Sequence, residues 1–245
     1  MRRLYLHVPI YLPEIVYNPL RSFKRKFFPA RQKTTNHLNL AGDRDIEWSW
    51  IYSELPAGPG EALEFGPGGS SLGRVAAQRG FRVTAVDLNQ AQYHYVHPNL
   101  NFVFGDLLEL SLPQSHFDLA INCSTVEHVG LAGRYGVTKL RNDGDLEAMS
   151  LLRQLLKPSG SMLLTIPVGR DEVFAPICRV YGEKRLPLLL KEYSVKKEAY
   201  WAKDDSNRWV MSDQRTALSR KADAGSWDAM QNIYAIGCFV LQPLK

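Results

Sequence analysis

Apolar and polar residues follow two periods along the chain, and the switching between them outlines a repeat of strands and helices. Short apolar or β-branched runs at Ala62 to Phe65, Arg82 to Asp87, Asn101 to Phe104, Phe117 to Asn122 and Ser161 to Val168 have the length of buried strands. Between them lie helix-like stretches. Ser70 to Gln78 is closed by Gly80, and a further helical segment falls near Gln90 to Tyr95. Asp145 is placed to cap an amphipathic helix with apolar residues at Leu146, Met149, Leu152, Leu155 and Leu156, ended by Lys157-Pro158-Ser159-Gly160. Ahead of the first strand, Asp43 is placed to cap a helix over Arg44 to Ile51, and Pro56 to Gly60 breaks the chain. Such alternation predicts a doubly wound α/β fold whose mostly parallel sheet is covered on both faces. The tail reads differently: Tyr193 to Lys203 and Arg208 to Met211 predict a hairpin across Asp204 to Asn207, and Tyr234 to Leu241 a last apolar strand, antiparallel to the rest.

Length and composition narrow this picture. A chain of 245 residues, 45% apolar and 22% charged, suits one large globular domain, here 43–245, preceded by an arm or cap over 1–42. Cys123, Cys178 and Cys238 lie far apart without a CxxC pair, and the histidines show no ligand spacing, so a zinc site or disulfide framework is not expected and a cytoplasmic setting is. No apolar run reaches the roughly 18 residues of a membrane span.

The net charge of +5 is concentrated at one end. Residues 1–33 hold eight Lys and Arg against a single acid, Glu14, so the remainder carries a slight excess of acid. That distribution argues against a nucleic-acid groove across the body, which would need cations on the binding face. The cations of the arm are interleaved with apolar residues, among them Leu4, Tyr5, Ile10, Phe23, Phe27 and Phe28, and with Pro9, Pro13 and Pro19. Two readings of the arm stand: a peripheral contact with an anionic membrane surface, and a cap packed on the catalytic body.

The chemistry begins at Leu63-Glu64-Phe65-Gly66-Pro67-Gly68-Gly69-Ser70, where a strand delivers an acid, a glycine turn and a helix. Glycines admit close backbone approach, and the turn falls at the carboxyl edge of the sheet, where open α/β folds bind ligands. A dinucleotide site would carry a third glycine where Ser71 stands and would not place Glu64 beside a pyrophosphate. A carboxylate there suits instead a cationic amino acid tail such as that of S-adenosylmethionine (SAM). Asp87 at the end of the second strand can hold two ribose hydroxyls, and Gly105-Asp106 after the third can accept the exocyclic amine of adenine. Three acids at the same end of three successive strands favour SAM over NAD.

These residues resemble class I SAM-dependent methyltransferases. Glu64 to Gly68 is similar to the first motif of that family, Asp87 to its ribose acid, Gly105-Asp106 to its adenine acid, Asp118 to Asn122 to its fourth-strand motif, and Leu156-Lys157-Pro158-Ser159-Gly160 to its Leu-Lys-Pro-Gly-Gly turn. Ser70 and Ser159 stand where the family usually has glycine. The resemblance spans roughly 43–242. It implies a Rossmann-like, mostly parallel seven-stranded sheet with an antiparallel last strand. It also implies a SAM site built from Glu64, Gly66, Pro67, Gly68, Ser70, Asp87, Leu88, Asp106, Leu107 and Asn122. A narrower resemblance, to an uncharacterised methyltransferase-like family with a Glu-His-x-Gly-Leu-x-Arg-Tyr-Gly signature, rests on Glu127-His128-Val129-Gly130-Leu131-Ala132-Gly133-Arg134-Tyr135-Gly136, which has one extra residue before Arg134, and on Arg179-Val180-Tyr181-Gly182.

Glu127 and His128 follow the fourth strand, where an acceptor would meet the methyl group. His128 is suited to serve as a base toward an acceptor hydroxyl or amine, and equally to brace the loop with Glu127. Arg134, Tyr135, Arg179 and Tyr181 are the candidates for holding an anionic or sugar-like acceptor. Asn122-Cys123-Ser124-Thr125 lacks the Pro-Pro-aromatic pattern of nucleic-acid amino-methylating enzymes, and no cysteine follows a proline as in cytosine-carbon methylases. The sequence therefore predicts a SAM-dependent methyltransferase acting at O or N of a small-molecule, glycan or lipid-linked acceptor. A non-catalytic SAM-binding module and an NAD-linked oxidoreductase are the alternatives.

Overall fold

A computed structural model describes residues 43–89, 97–133, 135–206, 208–223 and 234–244. The arm, the helical segment expected near Gln90 to Tyr95 and the side chain of Arg134 lie outside the described residues.

Helix α1 (Asp43–Glu54) leads into β1 (Gly60–Phe65), α2 (Leu72–Gln78), β2 (Phe81–Asp87), β3 (Leu100–Phe104) and β4 (Phe117–Cys123). A 3-10 turn (Val126–His128) follows, then α3 (Gly144–Leu155), β5 (Leu156–Val168), β6 (Glu172–Phe174), β7 (Cys178–Val180) and α4 (Arg185–Leu190). The chain ends with β8 (Tyr193–Lys203), β9 (Trp209–Ser212), α5 (Gln214–Ser219) and β10 (Ala235–Pro243). The main sheet has the order β3-β2-β1-β4-β5-β10-β8-β9. Strands β1 to β5 pair in parallel, and β10 runs antiparallel to both neighbours.

The sheet is the expected Rossmann-like one with an antiparallel last strand. It has eight strands rather than seven, because β9 folds back on β8 through the predicted hairpin. The last strand is interior: β10 slots between β5 and β8, which explains why both of its faces are apolar and buried.

Period-2 alternation sends each strand's side chains to two cores. Ala62, Leu119, Ile121 and Leu163 pack with Ile46, Ile51, Leu72 and Ala76 of α1 and α2. Leu63, Ala120, Met162 and Leu164 pack with Ala148, Met149, Leu152 and Leu155 of α3 on the other face. The order reverses at β1, which pairs with β2 on one side and β4 on the other. The ends of these strands stand level, Phe65 opposite both Val86 and Asn122, and Asp87 opposite Phe104. A crevice opens at such a switch point, at the carboxyl edge. Among the described residues no helix is long and apolar enough to cross a membrane.

Two local expectations are corrected. Asp145 is no cap: it sits in the first turn of α3 with no exposure, where Arg185 engages it through Nε (2.8 Å) and Nη2 (2.5 Å) and the Tyr181 hydroxyl donates to it at 3.1 Å. The Leu156-Lys157-Pro158-Ser159-Gly160 segment is the extended start of β5 rather than a separate turn. Leu156 pairs with Phe117 and the register shifts before Ser161 pairs with Leu119.

Candidate active site

A cavity of about 750 Å³ opens at the carboxyl edge of β1 to β4. Its floor is the glycine turn after β1. Gly66 (φ 67°) and Gly68 (φ 52°) occupy the left-handed region that disfavours side chains. At Gly66 a Cβ would also lie 2.1 Å from Thr125 Cγ2, so the missing side chain lets the turn pack against the loop after β4. Thr125 Oγ1 donates to the Gly66 carbonyl at 3.1 Å across that contact. At Gly68 and Gly69 an added Cβ would meet no atom within 4 Å, so the turn presents bare backbone to open space.

The three strand-end acids border this cavity together with Gly66, Pro67, Gly68, Ser70, Leu88 and Leu107. Asp87 accepts from Gly68 N–H at 3.0 Å and from Asn89 N–H at 2.8 Å, tying the end of β2 to the glycine turn. Asp106 accepts from Leu108 N–H at 2.9 Å through Oδ1, and its Oδ2 has no hydrogen bond among the described residues. Glu64 is more deeply engaged than its motif suggests. It is only 3% exposed, and its two oxygens accept from Ser70 Oγ (2.5 Å) and from Gly73 N–H (3.0 Å). It braces the turn onto α2, and burial raises its carboxyl to about 7. The replacement of the usual glycine by Ser70 thus supplies a donor to the motif acid. Asn122 does not reach the cavity: it is fully buried, and its Oδ1 accepts from Val126 N–H at 3.3 Å to shape the 3-10 turn.

His128 also lines the cavity, 18% exposed in its side chain. Its Nδ1 lies 2.6 Å from the Ile177 carbonyl oxygen. A carbonyl can only accept, so Nδ1 carries a proton and, in the neutral ring, Nε2 carries the lone pair. Nε2 is 3.6 Å from Glu127 Oε1. Glu127 is buried, its Oε2 has no hydrogen-bond partner among the described residues, and burial raises its carboxyl to about 8. Tyr135 (φ 54°) lines the cavity with its ring 5.4 Å from that of His128.

The acceptor roles expected for Arg179 and Tyr181 are corrected. Arg179 is 1% exposed and Tyr181 0%, and neither lines the cavity. Arg179 donates to four backbone carbonyls, of Glu127, Val129, Arg141 and Asn142, at 2.7–3.3 Å. It holds the loop that carries His128 from behind. The short hairpin β6–β7, which the sequence reading missed, delivers both Arg179 and the Ile177 carbonyl. Also missed were Arg44 and Trp48, one helical turn apart on the face of α1 that borders the cavity, and Lys139 and Arg141 on the opposite loop. The Arg44/Trp48 spacing and the apolar face at Ile46, Trp50 and Ile51 were the signal available.

The raised values of Glu64 and Glu127 impose a pH dependence on the fold. Glu64 and Glu127 gain protons on folding between their ordinary 4.5 and about 7 and 8, so the stability tied to their protonated forms is complete below 4.5 and lost as pH rises through those folded values. The ligand-free protein should therefore lose stability, on the order of a few kcal/mol, between pH 5 and 9, and its melting temperature should fall over the same range. Glu127→Gln should flatten the profile. A melting temperature that rises steadily from pH 5 to pH 9 would contradict these assignments.

Comparison with known proteins bears on the fold. Residues 109–224, just under half of the chain, match a family described as a Caenorhabditis protein of unknown function, DUF268. No curated protein matches the sequence. Among solved structures, the 1,6-didemethyltoxoflavin-N1-methyltransferase of Burkholderia thailandensis, bound to 1,6-didemethyltoxoflavin and S-adenosylhomocysteine, is similar with a TM-score of 0.51 at 17% identity, over 98% of this chain and 94% of that one. The N-methyltransferase NodS of Bradyrhizobium japonicum, in complex with S-adenosylhomocysteine, gives 0.52 at 12% identity, over 92% and 98%. The chain has the fold of SAM-dependent methyltransferases. The [4+2]-cyclase SpnF is equally similar, with a TM-score of 0.53 at 15% identity over 80% of each chain. One fold thus hosts different reactions, and function must be argued from the site.

Proposed function

We propose that the protein binds SAM in the cavity at the carboxyl edge of its sheet and transfers the methyl group to an oxygen or nitrogen of a small-molecule, glycan or lipid-linked acceptor. The observation that carries this reading is the lining of one cavity, which includes the bare glycine turn, Asp87, Asp106 and His128 with its Nε2 lone pair. Asp87 is placed for the ribose hydroxyls, the open Oδ2 of Asp106 for the adenine amine, and the backbone of Gly66 to Gly69 with the remaining lone pairs of Glu64 for the amino acid end. Leu88 and Leu107 offer apolar contact beside the base.

SAM supplies an already activated methyl group, so the protein's work is positioning and proton removal. His128 Nε2 accepts the proton released by the acceptor hydroxyl or amine. The Ile177 carbonyl fixes the ring's tautomer, and it is the ionised form of Glu127, beside Nε2, that stabilises the imidazolium so formed. Arg179 and Tyr181 act as positioning residues, behind this loop and not on the acceptor. The basic arm over 1–33 remains a proposed membrane contact or cap.

The test is a thermal-shift comparison of SAM, S-adenosylhomocysteine and NAD, followed by mass spectrometry for metabolites that gain one methyl group when the protein is supplied with SAM. Stabilisation by NAD and not by SAM would overturn the assignment. Asp87→Ala should weaken SAM binding by about 1–3 kcal/mol, the range for a charge-assisted hydrogen bond. Asp87→Asn, which keeps an acceptor for Gly68 N–H, should lose less. Calorimetry showing wild-type affinity in a folded Asp87→Ala protein would remove Asp87 from the site.

A further inference from the structure

The cavity is divided by charge. Its acids, Glu64, Asp87, Asp106 and Glu109, all stand at or just beyond the ends of β1 to β3. Its cations, Arg44, Lys139 and Arg141, come from α1 and from the loop after Tyr135. These cations differ in what occupies them. Arg141 is spent on Glu109 at 2.5 Å and Glu147 at 3.2 Å. Lys139 is an exposed side chain at the rim. Arg44 is anchored: its Nη1 is paired with Glu47, a carboxylate with no exposure that also accepts from the hydroxyls of Ser124 and of Thr165 (the latter at 2.9 Å). The anchoring leaves the other edge of the guanidinium, Nε and Nη2, without a partner among the described residues. That edge presents two parallel N–H bonds, the geometry that matches the two oxygens of a carboxylate.

Other residues that line the same cavity supply the rest of a subsite. Trp48 follows one turn later on α1, and Tyr135 and His128 stand on the cavity wall. Ser124, which holds Glu47, belongs to the loop after β4 that leads to His128. Flat aromatic side chains, an apolar contribution from Val129 and Val137, and one anchored guanidinium describe a pocket for a small planar acid.

Building on the methyl-transfer reading, we infer that the acceptor is a small, flat molecule bearing a carboxylate, which Arg44 holds through Nε and Nη2 while its reacting hydroxyl or amine is presented to His128. Arg44 is then the specificity-determining residue. The buried Glu47 beneath it fixes its direction.

The test uses the full chain and 4-hydroxybenzoate as probe, with 4-hydroxybenzamide as its uncharged isostere. Calorimetric titrations are run with the protein alone and after saturation with S-adenosylhomocysteine. The benzoate should bind at least about 10-fold more tightly than the benzamide, as a charge-assisted pair requires. Arg44→Gln should lose that preference and bind the two probes alike. Arg44→Lys keeps a cation beside Glu47 without the parallel N–H pair, so it preserves the melting temperature and should fall between the two. Equal binding of benzoate and benzamide, no binding of benzoate, or wild-type preference in both variants would overturn the inference. Failure of S-adenosylhomocysteine to bind, with an Arg44-dependent benzoate preference intact, would keep the carboxylate subsite and reject methyl transfer. Tight S-adenosylhomocysteine binding with no role for Arg44 would do the reverse.

Discussion

His128→Asn should turn over about 10²–10⁴-fold more slowly than the wild type while binding SAM with nearly the same affinity, the signature of a lost general base. Asparagine is the informative replacement because its side-chain amide can still donate to the Ile177 carbonyl, as His128 Nδ1 does at 2.6 Å. The loop therefore stays anchored and only the lone pair of Nε2 is removed. His128→Ala removes both, and should lose about 1 kcal/mol of stability in addition to rate, because the part-buried Ile177 carbonyl loses the His128 donor. Release of S-adenosylhomocysteine in the presence of a methyl-accepting metabolite fraction measures the rate, and calorimetry the affinity. If His128 were only a brace, His128→Asn would keep its turnover and His128→Ala would lose SAM affinity or melting temperature in proportion to its rate. Wild-type turnover in the asparagine variant removes the base role.

The part of the cavity proposed for SAM was legible because it is written in consecutive residues. A glycine turn between a strand and a helix, and an acid at the end of each of the next two strands, have their geometry set by the strand ends themselves, and Asp87 and Asp106 stand where their positions in the sequence put them. The acceptor end was read less well because it is assembled from distant segments. Arg179 carries a charge in a motif-like stretch, which suggests solvent and ligand. Its contacts are with four carbonyls 37 to 52 residues away, and no local pattern encodes that. The same holds for Asp145, whose place before an apolar helix is a cap signature, and which the fold instead assigns to Arg185 and Tyr181. Strands of three residues such as β6 and β7 fall below the length at which alternation can be recognised, and Pro176 between them reads as a loop. Asn122 shows the converse: its place at the end of the fourth strand was right, and burial turned its side chain to the backbone of the next turn.

Arg179→Met should be the most destabilising of these substitutions. The guanidinium is 1% exposed and satisfies the carbonyls of Glu127, Val129, Arg141 and Asn142, with Nε 3.6 Å from Asp145. Methionine fills much of the volume and supplies none of the donors, so the Glu127 and Val129 carbonyls lose this partner, while those of Arg141 and Asn142 keep Gly144 N–H and Arg185 Nη2. Removing one member of a buried charged network costs about 3–5 kcal/mol, which for a domain of this size lowers the melting temperature by roughly 10 °C. Arg179→Lys should recover little, because a single ammonium cannot span carbonyls on both strands of the loop. Asp145 keeps its pair with Arg185, so the damage should centre on 127–142 rather than on α3. Hydrogen exchange in that loop should rise to the level of local opening while α3 and the central strands stay protected. The same loop bears His128, so the proposed methyl transfer should fall with loop order even where SAM still binds. A folded Arg179→Met protein whose melting temperature matches that of the wild type would show that the loop is held by something other than this arginine.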